Sequence, residues 1–195
     1  TTSVGSFPKP DYLLKARARA AKGNLAKSKL EVLEKKATEF WMGAQEELGL
    51  DVLVDGEQYR GDMVAYFAGL MKGFKIGGLV RSYGNRYYHK PVITGKVKWP
   101  GPMTVRWWKF AQSFTNKPVK GMLTGPYTIM DWSFNEYYPS RKAACLALAK
   151  EIRKEVEELI DAGAKIIQVD EPALSVRPEE LPFAIEAMQI VTRDL

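Results

Sequence analysis

Two stretches of this sequence repeat one grammar, and that grammar limits what the chain can fold into. Glu46-Glu47-Leu48-Gly49-Leu50-Asp51-Val52-Leu53-Val54-Asp55-Gly56-Glu57 reads as a helix end, a glycine stop, a short apolar run and a carboxylate. Ile160-Asp161-Ala162-Gly163-Ala164-Lys165-Ile166-Ile167-Gln168-Val169-Asp170-Glu171 reads the same way. A glycine just past a helix takes the left-handed turn that ends it. A brief unbroken apolar run fits a strand buried on both faces of a parallel sheet. The match is one of α/β-unit grammar rather than a true sequence repeat. Two architectures accommodate it: a four-stranded doubly wound sheet, or the first half of a (β/α)8 barrel, whose full form takes about 250 residues.

The rest of the chain fills in a strand–helix order. Ser3 to Pro8 reads as a strand running into a tight turn, followed by a basic helix from about Asp11 to Gly23. Ser28-Lys29-Leu30-Glu31 has the form of a capping box opening a helix through Leu33, Ala37, Phe40, Trp41, Ala44 and Leu48. Residues 77–99 alternate, and read as a β-hairpin inserted into the main fold. A short aromatic helix is expected over 102–115, and a core strand over Val119–Pro126 ending in a Gly-Pro turn. Ser140 is placed to cap a long helix that Gly163 closes, and Pro178 with Glu179-Glu180 opens a last helix. The expected organisation is one incomplete α/β domain over residues 1–195, made of four strand–helix units plus the hairpin.

Composition narrows the chemistry. The 195 residues hold one cysteine, Cys145, and one histidine, His89, so no internal disulfide can form. Two soft ligands are too few for a typical structural zinc site. A lone thiol fits a reducing, cytoplasmic setting. Cys145 is expected in the core and His89 in a loop. No apolar run approaches the roughly 20 residues of a membrane span, and the first residues lack the pattern of a secretory signal. Residues 1–36 carry nine Lys and Arg against three carboxylates, an excess equal to the +6 of the whole chain. With no nucleic-acid motif beside it, that charge reads as a solvated helix face.

In either architecture, ligands gather at the C-terminal ends of the strands. Here those ends are Gly5-Ser6-Phe7, Asp55-Gly56-Glu57, Thr124-Gly125-Pro126 and Asp170-Glu171-Pro172. Two convergent carboxylates can hold a cation, such as a metal or an ammonium group, or work as acid and base. The plainer alternative is that each caps a helix or pairs with a lysine. The Gly5-Ser6 turn can offer backbone N–H groups to an anion. Trp132 can stack on a flat ligand, or simply pack in the core. Arg86 can clamp a carboxylate or phosphate, or stand in solvent on the hairpin.

Five segments together resemble one family. They are Thr1–Pro8, Asp51–Glu57 with Arg60-Gly61-Asp62-Met63-Val64, Tyr83-Gly84-Asn85-Arg86, Val119–Pro126 continuing to Asp131-Trp132-Ser133-Phe134, and Gln168–Leu174. In order and spacing they resemble the C-terminal catalytic barrel of cobalamin-independent methionine synthase. The resemblance implies a (β/α)8 barrel, of which this chain covers about the first half. It implies transfer of a methyl group to the thiol of homocysteine, which a zinc ion binds as thiolate. Val4, Gly5 and Ser6 would hold the homocysteine carboxylate, and Glu57 and Asp170 its amino group. Arg86 and Trp132 match methyl-donor positions, Trp132 beside the pterin. Tyr87 stands where the family has the Cys of an Arg-Cys pair, and Val176 where larger members have a Glu. The donor is therefore either 5-methyltetrahydrofolate with its polyglutamate tail or a methylcorrinoid such as methylcobalamin. The family's zinc ligands are expected beyond Leu195, with the C-terminal half of the barrel supplied in cis or by a separate chain. No nucleic acid or membrane partner is expected. Two other readings remain at this stage: another thiol methyltransferase of the same superfamily, or a non-catalytic half-barrel binding module.

Overall fold

The structure, a computed structural model, describes residues 1–81 and 87–195. The fold is α/β. In chain order its elements are α1 (Asp11–Ala21), α2 (Lys27–Glu47), α3 (Met63–Leu70), β1 (Lys72–Arg81), β2 (Tyr87–Lys98), α4 (Val105–Gln112), β3 (Gly121–Thr124), α5 (Pro126–Asp131), β4 (Phe134–Asn135), α6 (Arg141–Asp161), β5 (Ile167–Asp170) and α7 (Leu181–Thr192). Two 3₁₀ turns, Pro172–Val176 and Pro178–Glu180, lie between β5 and α7. Among the described residues no helix is long and apolar enough to cross a membrane. The chain divides into two compact units, residues 1–61, 106–121 and 164–166, and residues 62–105, 122–163 and 167–195.

In the first unit, α2 lays Ala37, Thr38 and Met42 into a core that also holds Leu13, Leu53 and Val54. The strands expected at Ser3–Pro8 and Asp51–Glu57 shrink to parallel bridges, Thr2 to Val52 and Leu53 to Val119. The cause is visible one residue later. The buried side chain of Gln45 donates to the Val54 carbonyl at 2.8 Å and accepts from the Val54 N–H at 2.9 Å, taking both groups a neighbouring strand would use. The expected capping box at Ser28 does not form either. The helix begins at Lys27, with Ala26 at the cap position. Glu31 points instead to Lys35 and Arg106, at 3.2 and 3.3 Å. The basic start is only partly a solvated face, since Arg17 is drawn inward to Glu34 at 2.8 Å and to the Gln58 carbonyl at 2.6 Å.

In the second unit the hairpin runs longer than the alternation suggested, from Lys72 to Lys98, and β4 adds a short parallel strand beside β2. His89 lies in β2 rather than in a loop, its Nδ1 3.0 Å from the Gly77 carbonyl. Two helices escaped the sequence reading. α3 is capped by Asp62, whose carboxylate accepts from Val64 and Ala65 N–H. α5 starts at Pro126, a residue whose fixed φ suits the first helical position. Ser140 caps α6 as expected, accepting from Ala143 N–H. α6 buries Cys145, Leu148, Ile152 and Leu159 on one stripe, at the spacing of a helix face. Each such Leu or Ile contributes about 1.5–3 kcal/mol.

The charge on that stripe is Glu155, which is fully buried. Its carboxylate accepts from the Trp99 indole N–H at 2.8 Å, from Met103 N–H at 2.9 Å, and from the Thr104 N–H and hydroxyl at 2.7 and 2.8 Å. These bonds pin the segment leaving the hairpin onto α6. Glu155→Ala would strand three buried donors and the half-buried Trp99 indole N–H, and a hydrogen bond to a charged group carries about 1.5–3 kcal/mol. The expected loss is about 3 kcal/mol or more, read as a fall in the urea midpoint. A midpoint within error of wild type would remove this carboxylate from the fold's supports.

Candidate functional site

The first unit joins two of the motif segments. Gly56 and Glu57 both have left-handed backbone, φ 68° and 53°. Such a conformation is uncommon for glutamate and must be held by its surroundings. Here Asp55 accepts from the Glu57 N–H at 2.9 Å. The Gly56 carbonyl accepts from Phe7 N–H at 3.1 Å and from the Gln58 side chain at 2.8 Å, and Gln58 also donates to the Phe7 carbonyl. A Cβ on Gly56 would come within 2.8 Å of the Phe7 ring, so only glycine allows this approach. The Val4-Gly5-Ser6 turn, with Gly5 at φ 78°, is thereby tied through Phe7 to the Gly56-Glu57 turn. Val4 and Ser6 are exposed.

Glu57 is buried, with its carboxylate 3.5 Å from the Arg60 guanidinium. Burial works against the Arg60 charge, but Tyr59, Glu57 and Asp55 outweigh it and hold the guanidinium above its ordinary value. Arg60 also donates to the Tyr59 hydroxyl at 3.0 Å, and Tyr59 stacks on Trp107 with ring centres 4.5 Å apart.

In the second unit, β3 and β5 pair. Gly125 N–H donates to the Asp170 carbonyl at 2.8 Å. The two acids at the end of β5 then take different roles. Glu171 reaches back to α5 and accepts from Tyr127 and Thr128 N–H at 2.9 and 2.7 Å. Burial pushes its carboxyl above the usual carboxylate range, and those N–H bonds oppose the shift. A Cβ on Gly125 would lie 2.2 Å from the Glu171 carboxyl, so a larger residue here would displace that side chain from the α5 N–H groups. Glu171 therefore caps a helix, as the plainer reading allowed, although the helix is the one after β3 and not its own. Asp170 is half-buried, and one of its oxygens accepts from Gln168 at 2.6 Å.

Trp132 closes α5 and does not vanish into the core. With Tyr88, 6.4 Å away between ring centres, it lines a cavity of about 860 Å³. Asp131, from the same motif segment, also lines it, with Arg81, Lys90, Arg141 and Arg177, which sequence reasoning did not single out. Two signals were present, the alternation of Tyr88 and Lys90 along β2 and the Asp beside the Trp. Val176 lies on the same wall. Tyr87 is 64% exposed and sits opposite Arg81 in the hairpin. Arg86 lies outside the described residues. Cys145 is a core residue, and burial pushes its thiol up to about 12, so it is no thiolate at neutral pH. Among the described residues no three His, Cys, Asp or Glu side chains gather to hold a metal, and the donors present do not fit a zinc site.

Comparison with known proteins agrees with the motifs. The family described as "Cobalamin-independent synthase, Catalytic domain" matches residues 1–182. A 5-methyltetrahydropteroyltriglutamate–homocysteine methyltransferase of Mesorhizobium japonicum is 52% identical over 176 residues, covering 89% of this chain and 23% of the relative. The enzyme of the same name from Corynebacterium efficiens is 49% identical over 195 residues, covering 99% and 26%. This chain thus spans about a quarter of the length of these relatives. Among solved structures, a B12-independent methionine synthase from a Shewanella species in complex with selenomethionine superposes with TM-score 0.86 at 27% identity, covering 100% of this chain and 58% of that one. A putative B12-independent methionine synthase from Listeria monocytogenes gives TM-score 0.77 at 20% identity, covering 98% and 61%, a likeness of fold. On the family match and the identities together, the chain belongs to the cobalamin-independent methionine synthase family, as part of its catalytic domain.

Proposed function

We propose that this chain is the N-terminal half of a (β/α)8 catalytic barrel that methylates the thiol of homocysteine to give methionine, in the cytoplasm. The observation that carries the reading is the 49% identity over 195 residues to a homocysteine methyltransferase. The contribution of these residues is substrate grip. Val4, Gly5 and Ser6 bind the amino-acid carboxylate through backbone N–H groups, and Glu57 and Asp170 bind the ammonium. The strained Gly56-Glu57 turn supports this role, because backbone strain held in place by Asp55, Phe7 and Gln58 is typical of a preorganised site. So does the division of labour in β5, where Glu171 takes the helix N–H groups and Asp170 does not. The Shewanella relative's complex with selenomethionine agrees with an amino-acid site in this fold.

The donor in this reading is a methylfolate, the compound in the relatives' name, with its ring against Trp132 and Tyr88. Arg86 and Tyr87 belong to the same donor region by resemblance. Val176, where larger members carry a glutamate, favours methylcobalamin as the competing donor, and turnover with each donor decides between them. The zinc ion of the family would come with ligands beyond Leu195.

Two experiments test the reading. In the complete enzyme, Glu57→Gln should weaken homocysteine binding by roughly one to two orders of magnitude, since a charge-assisted bond is worth about 1.5–3 kcal/mol. Near-normal binding by calorimetry would take Glu57 out of the site. Residues 1–195 alone should hold no stoichiometric zinc by elemental analysis and form no methionine, and adding the second half of the barrel should restore both. Turnover by the lone chain would sink the half-barrel account.

A further inference from the structure

One face of α2 holds backbone at both turns of the proposed homocysteine grip. Glu34, Trp41 and Gln45 lie seven and then four residues apart, the spacing of one helical stripe. Gln45 holds both backbone groups of Val54. The Trp41 indole N–H donates to the Pro8 carbonyl at 3.0 Å, and its ring stacks on Phe7 with centres 4.8 Å apart. Glu34 works through α1. It accepts from Arg17 Nη2 at 2.8 Å, and the same nitrogen donates to the Gln58 carbonyl at 2.6 Å. Gln58 is fully buried, and its side-chain amide donates to the Phe7 and Gly56 carbonyls at 3.1 and 2.8 Å. The residue next to the left-handed Glu57 is therefore held at both its carbonyl and its side chain.

The Arg17–Glu34 pair is a poor device for stability alone. Burial lowers the Arg17 guanidinium and raises the Glu34 carboxyl to about 7, against their mutual attraction. An ion pair that loses most of its Coulomb energy to desolvation adds little net stability. What it supplies is a donor fixed at one point of the backbone. We infer that Arg17 and Glu34 are positioning residues for homocysteine, clamping Gln58 so that Glu57 stays in the left-handed conformation that receives the substrate ammonium. The inference rests on the reading of Glu57 as the partner of that ammonium. Without the clamp, Glu57 relaxes toward the backbone regions a glutamate ordinarily occupies, and restoring the turn is subtracted from the binding free energy.

The test is calorimetric binding of two ligands to the complete enzyme: homocysteine, and 4-mercaptobutyrate, which is homocysteine without its amino group. Arg17→Gln should weaken homocysteine by about tenfold and 4-mercaptobutyrate by less than about twofold. Glu34→Gln, which keeps an acceptor of the same shape for Arg17, should show the same split at about threefold. Adding Arg17→Gln to Glu57→Gln should cost less than about twofold more, because the carboxylate it positions is already gone. Unchanged homocysteine affinity in both single variants overturns the inference. Equal losses on the two ligands overturn it as well, by making the pair a general support of the fold, and so does full additivity with Glu57→Gln. If Glu57→Gln itself binds homocysteine as wild type does, the ammonium reading fails, and the positioning role falls with it.

Discussion

The carboxylate of Glu171 on the first turn of α5 is the contact on which the strand-end face of the second unit depends. Tyr127 and Thr128 N–H groups have no partner within their own helix, and an acid that reaches them satisfies two donors at once. The reach is possible because residue 125 is glycine and leaves the space where a Cβ would collide. Glu155 works by the same physics elsewhere in the unit, fixing the segment after the hairpin to α6. Asp62 and Asp55 do it locally, at α3 and at the Gly56-Glu57 turn. Glu171, Glu155, Asp62 and Asp55 are thus spent on backbone N–H groups, whereas the buried Glu34 and Glu57 face Arg17 and Arg60. Asp170 stands out because Glu171 has already taken the structural duty beside it.

The hairpin face follows from a different constraint. The half-buried face of β2 carries Tyr88 and Lys90, and β4 lies parallel to β2 through Val92 and Phe134. That places Trp132 and Phe134, two residues apart in sequence, against a tyrosine and a lysine of the hairpin. Asp131 pairs with Arg141 and Arg177 on the near wall, and the charge left over is positive.

Much of this was legible in the sequence, and the misses have physical causes. The glycine stops at Gly49 and Gly163, the Ser140 cap and the long α6 stripe follow local rules, and the structure has all of them. The strand at Asp51–Glu57 shows the limit. Its apolar run is buried as expected, but a side chain from another helix, Gln45, replaces the neighbouring strand at Val54. Nothing local to Val54 signals that. Ser28 shows a local pattern losing to a tertiary one, since Glu31 finds Lys35 and Arg106 instead of the helix start. At the site, the acids at both strand ends were visible in sequence. Which acid serves the fold was not, because Glu171 acts on a helix more than 40 residues earlier in the chain.

In the proposed homocysteine site, adjacent residues Asp170 and Glu171 have opposite jobs, one for the substrate and one for the fold. The direct measurement is homocysteine affinity, taken beside the thermal midpoint, in the complete enzyme carrying Asp170→Asn or Glu171→Gln. Asp170→Asn should lose roughly ten- to a hundredfold in affinity with its midpoint unchanged, while Glu171→Gln should lower the midpoint. Wild-type affinity in Asp170→Asn, or a wild-type midpoint in Glu171→Gln, would contradict that division.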